Sequence, residues 1–292
     1  MEYTIQNKKI SITVSSSGGE LKQIAGADKT EYLWTGSAEY WPACAPHLFP
    51  LIGRLHEERY TYENRSYPLS IHGFLKDSEM IAESQGEDFL IFRLGSNKET
   101  LKQYPFEFNL GIEYRLAENT IEIIYNVYNL DQKTMFFAIG GHPGFNVPLE
   151  VGLTFEDYYL EFSESSSPRR AEPTATNLLN GVFLDYPLKD GRIINLSHEL
   201  FESDAIILKD MPSSITLKSD KGNRAVRVDY PDFKYLGLWH TVRSKAPFVC
   251  IEPWTALQGF EGEVLKLEKS PDLKALKPGE EYRNEWTITI YE

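Results

Sequence analysis

Apolar residues recur at every second position in segment after segment of this chain, a spacing that belongs to strands with one face buried. Tyr3 and Ile5, then Ile10, Ile12 and Val14, flank a polar Asn7–Lys8 turn and predict a hairpin. Ile121, Ile123 and Tyr125 alternate with polar neighbours, as do Val226, Val228 and Tyr230, and Trp286, Ile288 and Ile290. Further strands are expected over 89–94, 106–116, 135–140, 204–208, 213–218, 235–240 and 247–251. Gly, Asn, Asp and Pro in the connections point to antiparallel sheets in a sandwich. Helix is expected only over 97–104, with Asn97 as N-cap and Pro105 beyond the end, and as a short turn over 197–203 capped by Ser197. Residues 163–177, rich in Ser and Pro, read as an exposed connection. No internal repeat or compositional shift divides the chain, so 1–292 is expected to form one all-β domain.

Charge narrows the range of partners. The chain has 30 basic and 43 acidic residues, a formal charge of −13. That disfavours nucleic acid, which needs clustered Lys and Arg, while one phosphate on a small substrate stays open. The 17 Tyr, 16 Phe and 5 Trp favour strands and offer faces for stacking on a sugar or base. Cys44 and Cys250 sit in apolar surroundings and read as buried free thiols of a reducing compartment. The N-terminal residues lack the basic-then-apolar pattern of a secretory leader. No apolar run approaches the roughly 20 residues that span a bilayer. A cytoplasmic placement away from membranes is therefore expected; the sequence carries no signal for oligomeric state.

Four segments place a polar residue where packing alone explains it poorly. In Ile139-Gly140-Gly141-His142-Pro143-Gly144, the histidine leaves a strand for a tight loop where it can meet a ligand. In Cys250-Ile251-Glu252-Pro253-Trp254, a glutamate leaves a strand in the same way, and burial would demand a partner for it. Arg54 follows the apolar run Leu48–Ile52 and Gly53; its planar fork suits paired hydroxyls or a carboxylate, although a surface arginine at a strand end is the simpler reading. His72 lies in Ile71-His72-Gly73-Phe74, where Phe74 offers a floor for a sugar ring. Trp239 and Trp254 fit either a core or a pocket wall. A metal held by His72, His142 and Glu252 is conceivable, but no compact ligand motif supports it. Serine-hydrolase elbows, phosphate-binding glycine loops and dinucleotide fingerprints are absent.

Taken in order, these segments resemble the aldose 1-epimerase (galactose mutarotase-like) family, and within it the LacX-type branch. Gly53-Arg54 resembles the family's Asn-Arg element, with Gly in place of Asn. Ile71-His72-Gly73-Phe74 resembles its His-Gly-aromatic element. His142-Pro143-Gly144-Phe145-Asn146 resembles its His-Pro-aromatic-Phe-Asn element, with Gly at the aromatic position. Ile251-Glu252-Pro253-Trp254 resembles its Glu-Pro segment, and Ser203–Ile207 its substrate-binding aspartate segment. The resemblance implies a galactose mutarotase-like antiparallel β-supersandwich with few short helices. It implies interconversion of the α and β anomers of a free aldose, with Glu252 as base and His142 as acid. Arg54, His72, Asp204 and Trp254 would bind the substrate, an aldose or sugar phosphate. Only protons move, so no cofactor or metal is implied. A non-catalytic sugar-binding protein of the same fold and a glycoside hydrolase remain as alternatives.

Overall fold

Strands in which every second residue is apolar can bury that face only against another sheet, and the computed structural model, which describes residues 1–292, shows this arrangement. One sheet has nine strands, in the order Ile193–Asn195, Tyr159–Phe162, Ser214–Lys218, Ala225–Asp229, Glu281–Tyr291, Thr120–Asn129, Phe108–Ala117, Phe89–Gly95 and Ile81–Gln85. The other has eight. Seven run in the order Leu179–Asp185, Arg169–Pro173, Ile206–Lys209, Tyr235–Trp239, Phe248–Trp254, Gly140–Gly141 and His47–Leu48. The eighth, Gly144–Asn146, also pairs with Phe248–Trp254. All pairings in both sheets are antiparallel, as expected from the short polar connections. Ile121 faces Ile288 and Ile123 faces Trp286 across adjacent strands of the first sheet. Leu236, Leu238, Val249 and Ile251 of the second join them in one core of 63 buried residues. The expected hairpin at the N-terminus forms between Glu2–Gln6 and Ile10–Ser15, with Ile5 opposite Ile12.

Helix is as scarce as the sequence implies. The one α-helical turn is Thr100–Gln103, shorter than the expected 97–104. Asn97 nonetheless caps it, its Oδ1 accepting the Glu99 and Thr100 N–H groups at 2.9 and 3.1 Å. The turn expected over 197–203 is a 3₁₀ turn at His198–Phe201, and Ser197 makes no side-chain cap bond. No helix is long and apolar enough to cross a membrane.

Three expectations are corrected. Residues 163–177 are not all connection, because Arg169–Pro173 forms a strand of the eight-stranded sheet. Its polar side chains hide the pattern; only Ala171 is buried. The strand expected over 204–208 starts at Ile206, and Asp204 precedes it with a left-handed backbone, φ 72°. The strand expected to end at Ile251 continues to Trp254, so Glu252 sits inside it rather than in a loop.

Candidate active site

Strand alternation decides what reaches the outer face of the eight-stranded sheet. Along Phe248–Trp254, Val249 and Ile251 point into the core shared by the two sheets, so Phe248, Cys250, Glu252 and Trp254 point the other way. On the neighbouring strands the same face carries Gly237, Ile207 and Ala171. Gly237 lies directly opposite Glu252, where a side chain would crowd the carboxylate: a Cβ there would be 3.2 Å from Glu252 Cβ. These residues floor a cleft of about 590 Å³, well within the range of small-molecule sites.

The register brings the histidine to the glutamate. Gly140 pairs with Trp254 and Gly144 with Cys250. His142, midway between the two glycines, therefore falls opposite Glu252. Its Nε2 stands 3.3 Å from Glu252 Oε2. The glycines ahead of it have a packing reason: a Cβ on Gly141 would lie 2.6 Å from the Trp286 ring, and one on Gly140 would lie 2.8 Å from the Pro253 carbonyl oxygen. The His142 N–H donates to the Pro46 carbonyl at 3.0 Å. Its ring stacks on Trp41 at 4.9 Å and meets Trp239 and His72 edge-on at 5.7 and 5.4 Å.

Burial sets the electrostatics. Glu252 is 1% exposed and His142 8%. Burial, reinforced by the charge of Asp204, pushes the Glu252 carboxyl well above the usual carboxylate range. Burial draws the His142 imidazole down to about 4. The His72 imidazole is drawn well below its usual range, by burial first and then by the His142, Lys76 and Arg54 charges. Glu252 Oε2, His142 Nδ1 and Trp254 Nε1 have no protein hydrogen-bond partner. Unpartnered polar atoms beside a cleft are what a hydroxylated ligand can satisfy.

Six of the residues singled out from sequence reach this cleft: Arg54, His72, His142, Asp204, Glu252 and Trp254 all line it. Arg54 is exposed, and His72 and Asp204 are half-buried. His72 Nδ1 accepts the Gly53 N–H at 3.1 Å, so the neutral ring keeps its donor on Nε2. Trp254 is only 2% exposed and acts as a wall rather than an open platform. Phe74 does not floor the site; it packs in the core against Phe49, Tyr104 and Phe108. The open aromatic faces belong to Trp239 and to Trp41, which carried no motif signal and is supplied by a loop. Gln258 was also missed. It explains Gly53: with φ 67°, a Cβ there would sit 2.3 Å from Gln258 Cβ. Trp41 explains Gly144 in the same way, its ring lying 3.2 Å from where a Cβ would be.

Ligand-type atoms of His142, Cys250 and Glu252 lie within 4.8 Å of one another, a spacing that can hold a divalent cation. The trio considered from sequence had His72 in place of Cys250. Cys250 and Cys44 are both buried free thiols. Burial pushes the Cys250 thiol well above its ordinary range, which makes it a poor thiolate donor.

The aldose 1-epimerase family model matches residues 1–289. The plasmid-encoded protein LacX of Lactococcus lactis subsp. lactis is 36% identical, covering 99% of each chain. A galactose mutarotase related enzyme from Lactobacillus acidophilus superposes with a TM-score of 0.95 at 33% identity, covering 100% of this chain and 97% of its own. A galactose mutarotase-like protein from Lactobacillus casei does so with a TM-score of 0.94 at 32% identity, covering 99% and 100%. With the supersandwich fold, the ordered motifs and these matches in agreement, the chain belongs to the aldose 1-epimerase family.

Proposed function

We propose that this protein is a mutarotase, interconverting the α and β anomers of an aldose by acid–base ring opening. The observation that carries this reading is the His142–Glu252 pair, 3.3 Å apart on the floor of a polar-lined cleft. Opening a cyclic hemiacetal needs one proton removed from the anomeric hydroxyl and one delivered to the ring oxygen. The Glu252 carboxylate takes the first, and the His142 imidazolium gives the second as the bond from C1 to the ring oxygen breaks. Rotation about C1–C2 presents the other face of the open-chain aldehyde, and the ring oxygen attacks it with the two proton transfers reversed. A positioned acid and base each contribute about 10²–10⁴-fold. Arg54, His72 and Asp204 hold hydroxyls, and Trp254 with Trp239 walls the ring.

In the free site, burial favours the uncharged pair: a protonated Glu252 beside a neutral His142. The same single proton, moved to His142, gives the working pair. Substrate hydroxyls that donate to the carboxylate favour this second arrangement. Asp204 also faces the cleft, and a hydrolase would use two carboxylates. Glu252 Oε2 has His142 Nε2 at 3.3 Å, the acid that the mutarotase reading needs.

The test is a panel of freshly dissolved α-anomers followed by polarimetry, with and without EDTA. The expected result is faster relaxation of at least one aldose, unchanged by chelation. Activity that disappears with EDTA and returns with added metal would favour a metal held by His142, Cys250 and Glu252. Release of reducing ends from oligosaccharides would favour a hydrolase.

A further inference from the structure

Between the two sheets lies a buried histidine that has no part in the proposed chemistry. His47 is 1% exposed and stands between two buried tyrosines of the nine-stranded sheet, Tyr114 and Tyr125. Its Nε2 lies 2.5 Å from the Tyr114 hydroxyl and its Nδ1 2.7 Å from that of Tyr125. The Tyr114 hydroxyl donates to the Gly19 carbonyl at 2.6 Å. With that hydrogen committed, Tyr114 accepts from His47 Nε2–H. Burial draws the His47 imidazole down to about 3, so near neutral pH the ring carries one N–H. Nδ1 is then bare and accepts the Tyr125 O–H. The hydrogens run one way, from Tyr125 through His47 and Tyr114 to Gly19. The 3.2 Å contact of Tyr125 with the Gly140 carbonyl is left as the weakest of the set.

A phenylalanine or leucine would fill this space with less desolvation. What an apolar side chain lacks is direction, since a satisfied buried network fixes one arrangement of the elements it joins. The elements joined here are those that hold His142. His47 pairs with Gly141 across the sheet. The Pro46 carbonyl accepts the His142 N–H at 3.0 Å, and the Cys44 carbonyl accepts the Gly144 N–H at 2.9 Å. Residues 44–47 therefore grip the segment Gly141–Gly144 on both sides of His142. The same residues are tied to the corner that Tyr114 holds: Glu20, next to Gly19, accepts the Cys44 and Ala45 N–H groups on its Oε1 at 2.7 and 3.0 Å. We infer that His47 is a positioning residue, touching no substrate, whose bonds to Tyr114 and Tyr125 set where the His142 imidazole stands relative to Glu252. Its effect on rate rests on the mutarotase reading; its effect on His142 does not.

The experiment compares the wild type with His47→Phe, which fills the space without hydrogen bonds, and His47→Gln, whose amide offers one donor and one acceptor. Blank-corrected rates on an accepted aldose are taken well below each melting temperature. His47→Phe should lower kcat by about tenfold and leave KM within about twofold, because a misplaced acid slows the chemical step more than it weakens binding. His47→Gln should bring kcat back to within about threefold of the wild type. Wild-type kcat in a folded His47→Phe protein, a loss carried by KM, or an equal loss in both variants overturns the inference and leaves His47 a packing residue. If His47→Phe does not fold, Tyr125→Phe takes its place, with kcat expected to fall by about threefold at constant KM; an unchanged kcat overturns the inference. If no aldose is accelerated, the mutarotase reading fails, and NMR titration of the His142 imidazole, identified by its loss in His142→Asn, decides the positioning by itself. Its midpoint should move in His47→Phe and return in His47→Gln; a midpoint unmoved in His47→Phe overturns it.

Discussion

A glutamate that is 1% exposed, with no hydrogen-bond partner for its Oε2, destabilises the fold whenever it is charged. Its folded pKa lies above the unfolded value, so the folded chain holds that proton more tightly. The associated stability is complete below the unfolded pKa and is lost as pH rises through the folded one. Glu252→Gln should therefore melt higher than the wild type by on the order of 1 kcal/mol, about 2–4 °C. The gap should widen as pH rises from the unfolded pKa through the folded one. Calorimetry across that range checks it, and identical melting at every pH would mean that Glu252 is not a buried charge. In the proposed role, a base that weakens its own fold is a familiar trade-off. His142 and Glu252 stood out in sequence because glycine, proline and tryptophan surround them, although Gly140 and Gly141 prove to have a packing reason of their own. Trp41 did not. Nothing local marks it, and its place over Gly144 and His142 depends on contacts across roughly 100 residues of chain.

Long strands with strict alternation, such as Glu281–Tyr291 and Thr120–Asn129, were readable because each second side chain enters one core. The two-residue strands His47–Leu48 and Gly140–Gly141 were not, since two residues carry no period. Arg169–Pro173 escaped because four of its five residues are not buried, so burial did not dictate its composition. These short pieces nevertheless position His142. The Trp286 ring against Gly141 fixes how closely the segment before His142 approaches the nine-stranded sheet. Gly141→Ala would insert a methyl 2.6 Å from that ring. Overpacking of this kind costs about 1–3 kcal/mol and should move His142 off its alignment with Glu252. Denaturant melts beside rate assays test this: both stability and rate should fall. An unchanged rate in a destabilised protein would show that the glycine serves packing alone.

Across the whole molecule, residues from 20 to 258 meet in one cleft, and only the pairing of distant strands brings them there. The order of the motifs was visible in sequence; the register that sets His142 opposite Glu252 was not. In the proposed mechanism the pair works only while it shares one proton. A second proton, taken up in acid, removes the base, and loss of the proton in alkali removes the acid. Blank-corrected rates should thus trace a bell against pH, with two macroscopic limbs that belong to the pair. A profile that climbs steadily into alkali would leave His142 a binding role and require another donor for the ring oxygen. The most direct test of the account is NMR magnetisation transfer between the α and β anomers of an accepted sugar, for the wild type, Glu252→Gln and His142→Asn. The pair predicts exchange in the wild type and a loss of about 10²-fold or more in each variant, with the fold retained. Wild-type exchange in a well-folded Glu252→Gln protein would contradict it.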